Sequence, residues 1–128
     1  MIVNDILEHK GSDIYSVTPT ASLLEMSRML HAHKVGALIC TDPSGSLIGI
    51  ITERDLANAI ARFGHQALDM LVADFMNRDV VACSITDEID VLLTIMTEAR
   101  CRHLPVIREG VLVGLVSIGD LVKARFGE

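Results

Sequence analysis

Gly49-Ile50-Ile51-Thr52-Glu53-Arg54-Asp55-Leu56 returns 65 residues later as Gly114-Leu115-Val116-Ser117-Ile118-Gly119-Asp120-Leu121 in a chain of 128 residues. Each copy is an apolar run that ends in a hydroxyl residue, with a carboxylate three positions on. An echo of fixed length that fills the chain marks a duplicated structural unit. A strand running into a helix opened by Thr or Ser is also a place that can hold a phosphate and a sugar. The same pattern therefore bears on architecture and on function.

Working outward, the repeat extends. Val35-Gly36-Ala37-Leu38-Ile39-Cys40 lies over Cys101-Arg102-His103-Leu104-Pro105-Val106, and Thr20-Ala21-Ser22-Leu23 over Thr86-Asp87-Glu88-Ile89. A short lead stands ahead of each copy, Val3-Asn4-Asp5-Ile6-Leu7 and Val72-Ala73-Asp74-Phe75-Met76. Ile14 to Val17 and Val80 to Cys83 read as short strands before helices capped by Thr20 and Thr86. Leu23, Met26, Met29 and Leu30, matched by Ile89, Leu92, Ile95 and Met96, have the spacing of a core-facing helical stripe. Gly36 to Cys40 and His103 to Ile107 follow as strands. Turns containing Gly45 and Gly110 lead back through Ser46 to Ile51 and Val111 to Val116 as hairpin partners. Helices over 52–63 and 117–125 close the copies. The expected fold is α/β, two β-α-β-β-α repeats over 8–64 and 72–128, with residues 1–7 as a lead packing on the module. Each three-stranded sheet is too small to bury both faces alone, so the repeats are expected to pack together.

Composition narrows the function. Half the residues are hydrophobic, 3% are aromatic and there is no Trp, so aliphatic side chains and Met must fill the core. Met26, Met29, Met70, Met76 and Met96 read as core filler. Apolar runs are far shorter than the roughly 20 residues that span a bilayer, and the first residues lack a signal-like pattern, so the expectation is a cytoplasmic chain with no membrane partner. A net charge of −6 argues against a nucleic-acid polymer. Cys40, Cys83 and Cys101 are odd in number and scattered, as expected of buried thiols in a reducing compartment. His31 and His33 with Lys34 suit a helix C-terminus, and no third ligand nearby supports a metal. No nucleophile elbow, zinc-binding His-Glu-x-x-His or Walker loop is present, so neither an enzyme nor a catalytic cofactor is expected.

The hydroxyl-x-x-Asp signature after a Gly-containing strand, the Arg102-His103-Leu104-Pro105-Val106 strand and the Val-x-Asp leads resemble the CBS domain, named for cystathionine β-synthase, in tandem and of the bacterial stand-alone type. That resemblance spans nearly the whole chain. It implies a pseudo-twofold module with two clefts between the repeats, holding adenosine compounds such as AMP, ADP, ATP, NAD or S-adenosylmethionine. Asp55 and Asp120 would take ribose hydroxyls, and Thr52 and Ser117 the phosphate. Val17, Gly36, Ala37, Arg102 and His103 would line the place of the base and its phosphate. It further implies regulation of an effector protein that the sequence does not identify.

The chemistry of those residues agrees. A carboxylate can accept from both hydroxyls of a vicinal diol, in charge-assisted bonds worth about 1.5–3 kcal/mol each. A hydroxyl three residues earlier sits where the helix N-terminus favours phosphate oxygens. Arg54 adds a guanidinium fork. Copy two has Ile118-Gly119 where copy one has Glu53-Arg54, so the sites are expected to be unequal, with the Thr52 site the better for phosphate and the other either a weak site or one that borrows Arg100, Arg102 or Lys123. A Thr or Ser N-cap with an acid at N3 is also a capping box, which needs no ligand. Two readings stay open: an adenosine-nucleotide sensor, homodimeric through the helices near 56–60 and 121–126, or a ligand-free dimerisation scaffold.

Overall fold

A computed structural model describes residues 1–126. The chain opens with helix α1 (Val3–Lys10) and then runs β1 (Ser16–Val17), α2 (Leu23–His33), β2 (Ala37–Thr41), β3 (Leu47–Thr52) and α3 (Glu53–Phe63). Two 3₁₀ turns, Gly64–Asp69 and Val72–Asp74, lead into β4 (Cys83–Ser84), α4 (Ile89–Ala99), β5 (His103–Arg108), β6 (Val111–Ser117) and α5 (Ile118–Arg125). The β-α-β-β-α order expected from sequence is therefore present twice. Each copy forms a three-stranded sheet, ordered β1-β2-β3 and β4-β5-β6, with the first pair parallel and the second an antiparallel hairpin.

The hairpins turn on Gly45 and Gly110 at φ 87° and 78°, a region that costs glycine little. Both edge strands are only two residues long, shorter than the β-branched stretches suggest. The expected caps also shift. Ser22, not Thr20, caps α2 by accepting the Glu25 N–H, and α4 begins after Glu88 with no side-chain cap. Thr20 and Thr86 instead lie in the preceding turns, beside the hydroxyls of Thr18 and Ser84.

Two compact units result, and neither is a continuous stretch of one copy plus its own lead. One comprises 15–80; the other joins 1–14 to 81–128. The dividing lines read from sequence, 8–64 and 72–128, thus differ from the packing units, and position 128 lies outside the described residues. The reason is a set of backbone bonds that recurs in both units. Val3 N–H donates to Asp87 O, Asn4 N–H to Ile85 O, and Ile89 N–H to Met1 O. The equivalents are Val72 N–H to Ala21 O, Ala73 N–H to Pro19 O, and Leu23 N–H to Met70 O. Each lead thereby satisfies backbone groups at the helix start of the other copy.

Each lead then crosses the motif glycine. A Cβ on Gly114 would stand 2.8 Å from Leu7 Cδ2, and one on Gly49 would stand 3.0 Å from Asn77 O and 3.1 Å from Met76 Sδ. The motif glycine is thus explained by close approach. Each unit has its own core. Leu23, Met26, Leu38 and Ile51 are fully buried in one, and Leu92, Leu104, Val106 and Val116 in the other. The helical stripes face these cores, with Met29 and Ile95 at their margins.

Candidate functional site

Both motifs stand where a hairpin strand becomes a helix. Thr52 and Ser117 leave β3 and β6 with extended backbone, and the helices begin at the next residue. The Thr52 Oγ accepts the Asp55 N–H at 3.3 Å, and the Asp55 Oδ2 accepts the Thr52 N–H at 2.8 Å. In copy two the Ser117 Oγ accepts the Asp120 N–H at 3.1 Å, and the Asp120 Oδ2 accepts the Ser117 N–H at 2.8 Å. The capping box anticipated from sequence is formed in both copies. It engages one carboxylate oxygen; no described residue donates to Oδ1 of Asp55 or Asp120.

Glu53 N–H donates to Gly36 O, and Ile118 N–H to Arg102 O. Ala37 is in register with Thr52, and His103 with Ser117. The candidate residues therefore gather into two matching groups. Gly36, Ala37, Thr52, Arg54 and Asp55 share one unit, while Arg102, His103, Ser117 and Asp120 share the other. Val17 and Ala37 are 5% and 3% exposed, so both belong to the core and offer a ligand little surface in this structure. Arg54 and Arg102 are exposed, and His103 is half-buried.

The two carboxylates differ in a way the sequence reading did not anticipate. Lys10 Nζ, from the end of α1, donates to Asp120 Oδ2 at 2.8 Å and to Leu115 O at 2.9 Å. Burial pushes the Asp120 carboxyl up. The hydrogen bonds from Lys10 and Ser117, with the Lys10 charge, outweigh burial and hold the group below its ordinary value. Asp55 makes no ion pair with a described residue. At the position matching Leu115, Ile50 O instead accepts the backbone N–H of Asn77 at 2.9 Å. A signal for Lys10 lay in the leads: extending their alignment sets His9-Lys10 over Arg78-Asp79, so a cation follows each lead.

Among the described residues, no group of three or more His, Cys, Asp or Glu could hold a metal ion, and no helix is long and apolar enough to cross a membrane.

The sequence model of the CBS domain matches residues 3–62 and 72–127. The chain belongs to the CBS domain family. It carries two CBS repeats, and the motifs above are the corresponding parts of each. The CBS-domain containing protein ATU1752 from Agrobacterium tumefaciens is 46% identical, with a TM-score of 0.94 over 97% of this chain and 92% of that one. The CBS domain pair of protein MJ0100, solved in complex with 5′-methylthioadenosine and S-adenosyl-L-methionine, is 25% identical, with a TM-score of 0.81 over 99% of this chain and 97% of that one. A mitochondrial CBS domain-containing protein of Arabidopsis thaliana, CBSX3, is 33% identical over 95% of this chain. This CBS pair spans 63% of that relative's length.

Proposed function

We propose that this CBS pair is a regulatory module, without catalysis of its own, that takes an adenosine ligand at its hydroxyl-x-x-Asp motifs and passes the resulting change to an effector protein. The observation that carries this reading is Asp55. Its carboxylate is fixed at the start of α3 by one oxygen, half-buried, and leaves the other oxygen without a donor among the described residues. A fixed carboxylate oxygen with no described donor, at the N-terminus of α3, suits a ribose hydroxyl with a phosphate nearby. AMP, ADP, ATP and NAD all present that combination. The adenosine ligands of the related MJ0100 pair support the class.

Thermal unfolding with and without millimolar AMP, ATP or NAD tests it. A ligand that binds only the folded chain at about a hundredfold its Kd adds about 2.7 kcal/mol, a rise of several degrees in midpoint. Asp55→Ala is expected to remove most of that rise; a rise that survives the substitution excludes the ribose contact.

A second reading has an observation of its own. Both capping boxes close without any ligand, and Asp120 is ion-paired within the chain. A scaffold that binds nothing would look the same at these positions. A midpoint indifferent to every adenosine compound selects it.

A further inference from the structure

In the unit that carries the second motif, α1 and α5 flank a cavity of about 560 Å³, within the roughly 300–1,000 Å³ range of small-molecule sites. Lys10, Lys123, His9, Asp5 and Asp120 contribute its charged and titratable lining. Both carboxylates are already engaged. Asp5 Oδ2 accepts the Ile2 N–H at 2.9 Å, and Asp120 Oδ2 accepts from Ser117 N–H and from Lys10. Lys10 uses two of its three N–H groups on Asp120 and Leu115 O. Neither Lys123 nor Asp5 makes an ion pair with a described residue, so beside the fixed Lys10 ammonium the cavity offers a second one that is free to turn to a ligand.

From this geometry we infer that Lys10, aided by Lys123, sets ligand selectivity at the second motif, favouring phosphorylated adenosine ligands over neutral ones. The inference rests on the adenosine reading above. Two effects act in the same direction. A neutral nucleoside reaches Asp120 only through Oδ1, because Oδ2 already accepts from Ser117 and Lys10, and the Lys10 charge makes the carboxylate a poorer acceptor for a ribose hydroxyl. A phosphorylated ligand offers Lys10 and Lys123 a compensating anion, with charge-assisted bonds where the neutral ligand has none. Copy two lacks the arginine that copy one carries at position 54. Lys10 restores a cation to copy two from α1 rather than from α5.

Calorimetry on the full chain carrying Asp55→Asn, which removes the first motif's contribution, isolates the second. AMP is expected to bind about tenfold or more tightly than adenosine. Adding Lys10→Met should bring the two affinities together, mainly by weakening AMP while adenosine holds or improves. Lys10→Arg should preserve the preference, because it keeps the charge. Lys123→Met, at an exposed position, should narrow the preference in part and serves if the Lys10 variants fold poorly. A preference unmoved by both Lys10→Met and Lys123→Met overturns the inference, as does Lys10→Arg behaving like Lys10→Met. A joint collapse of AMP and adenosine binding in Lys10→Met would make the lysine structural and also overturns it. If the chain with Asp55 intact binds adenosine ligands but the second motif shows no preference, only this inference falls. If no variant and no unaltered chain binds any adenosine compound, the reading beneath it falls as well.

Discussion

At the residue scale, Asp120 and the cysteines show how local contacts set chemistry. The Asp120 carboxyl titrates below its ordinary value in the folded chain, whereas in the unfolded chain it returns to about 3.9. Because the folded pKa is the lower one, the group's stabilising contribution is complete above the unfolded value and is lost as pH falls through the folded one. Asp120→Asn is expected to cost roughly 1 kcal/mol near neutral pH, the partly exposed lysine being screened by solvent. That gap should close as pH drops from about 5 toward 2, which urea unfolding at several pH values reads directly; a gap constant across that range refutes the assignment. The thiols follow burial. Cys40 is pushed up to about 12, first by burial and then by the Asp55 charge against the opposing Arg78, and Cys83 to about 12 by burial and Asp87. Neither is a nucleophile at neutral pH. Cys101 is half-buried and less strongly raised. Iodoacetamide on the native protein should therefore modify Cys101 first, with Cys40 and Cys83 reacting only on unfolding, as mass spectrometry would show. Early labelling of Cys40 would mean that its strand opens readily.

At the scale of elements, the strand–helix motif and the lead that crosses it form one device, repeated. The motif strand needs glycine because the lead passes within contact of it. Gly114→Ala would press a methyl on Leu7, itself part of the core, and Gly49→Ala would press on Asn77 O and Met76. Each should destabilise by about 1–3 kcal/mol, the usual range for overpacking. Leu7→Ala leaves room for the new methyl, so Gly114→Ala and Leu7→Ala should be less than additive in a double-mutant cycle, whereas Gly49→Ala and Leu7→Ala, in different units, should add. Additivity of the first pair would sink the crossing as the reason for the glycine. Strands, hairpins, stripes and both capping boxes were legible in the sequence because they depend on local periodicity and on residues three apart. The pairing of each lead with the other copy was not. It is fixed by backbone bonds such as Val3 N–H to Asp87 O, which leave no side-chain signature. The Lys10 contact was not legible because it reaches Asp120 across 110 positions of sequence, by a pairing that no local spacing marks.

For the molecule as a whole, the question is what covers its exposed apolar side chains. Leu121, expected on an outer face, is fully buried, so the surface of α5 is made instead by Ile118, Val122 and Phe126, at 39%, 44% and 72% exposure. Their i, i+4, i+8 spacing lines one side of the helix. On α3 the counterparts are Ile60 and Phe63, 42% and 38% exposed, with Ala59 turned into the core. Apolar lines of this kind are more often an interface than bare solvent-facing surface, and the homodimer expected from the sequence would use them. Val122→Glu places a charge at the middle of the α5 line while leaving the Leu121 core contact intact. Sedimentation should then show dimer converted to monomer, with circular dichroism unchanged. Leu121→Glu, by contrast, should unfold its unit by burying an unpaired charge. A chain that is monomeric before any substitution, at concentrations well above those used in the thermal assay, would remove the dimer. Those same residues would then remain uncovered until the effector binds, and Val122→Glu would be expected to weaken that association instead.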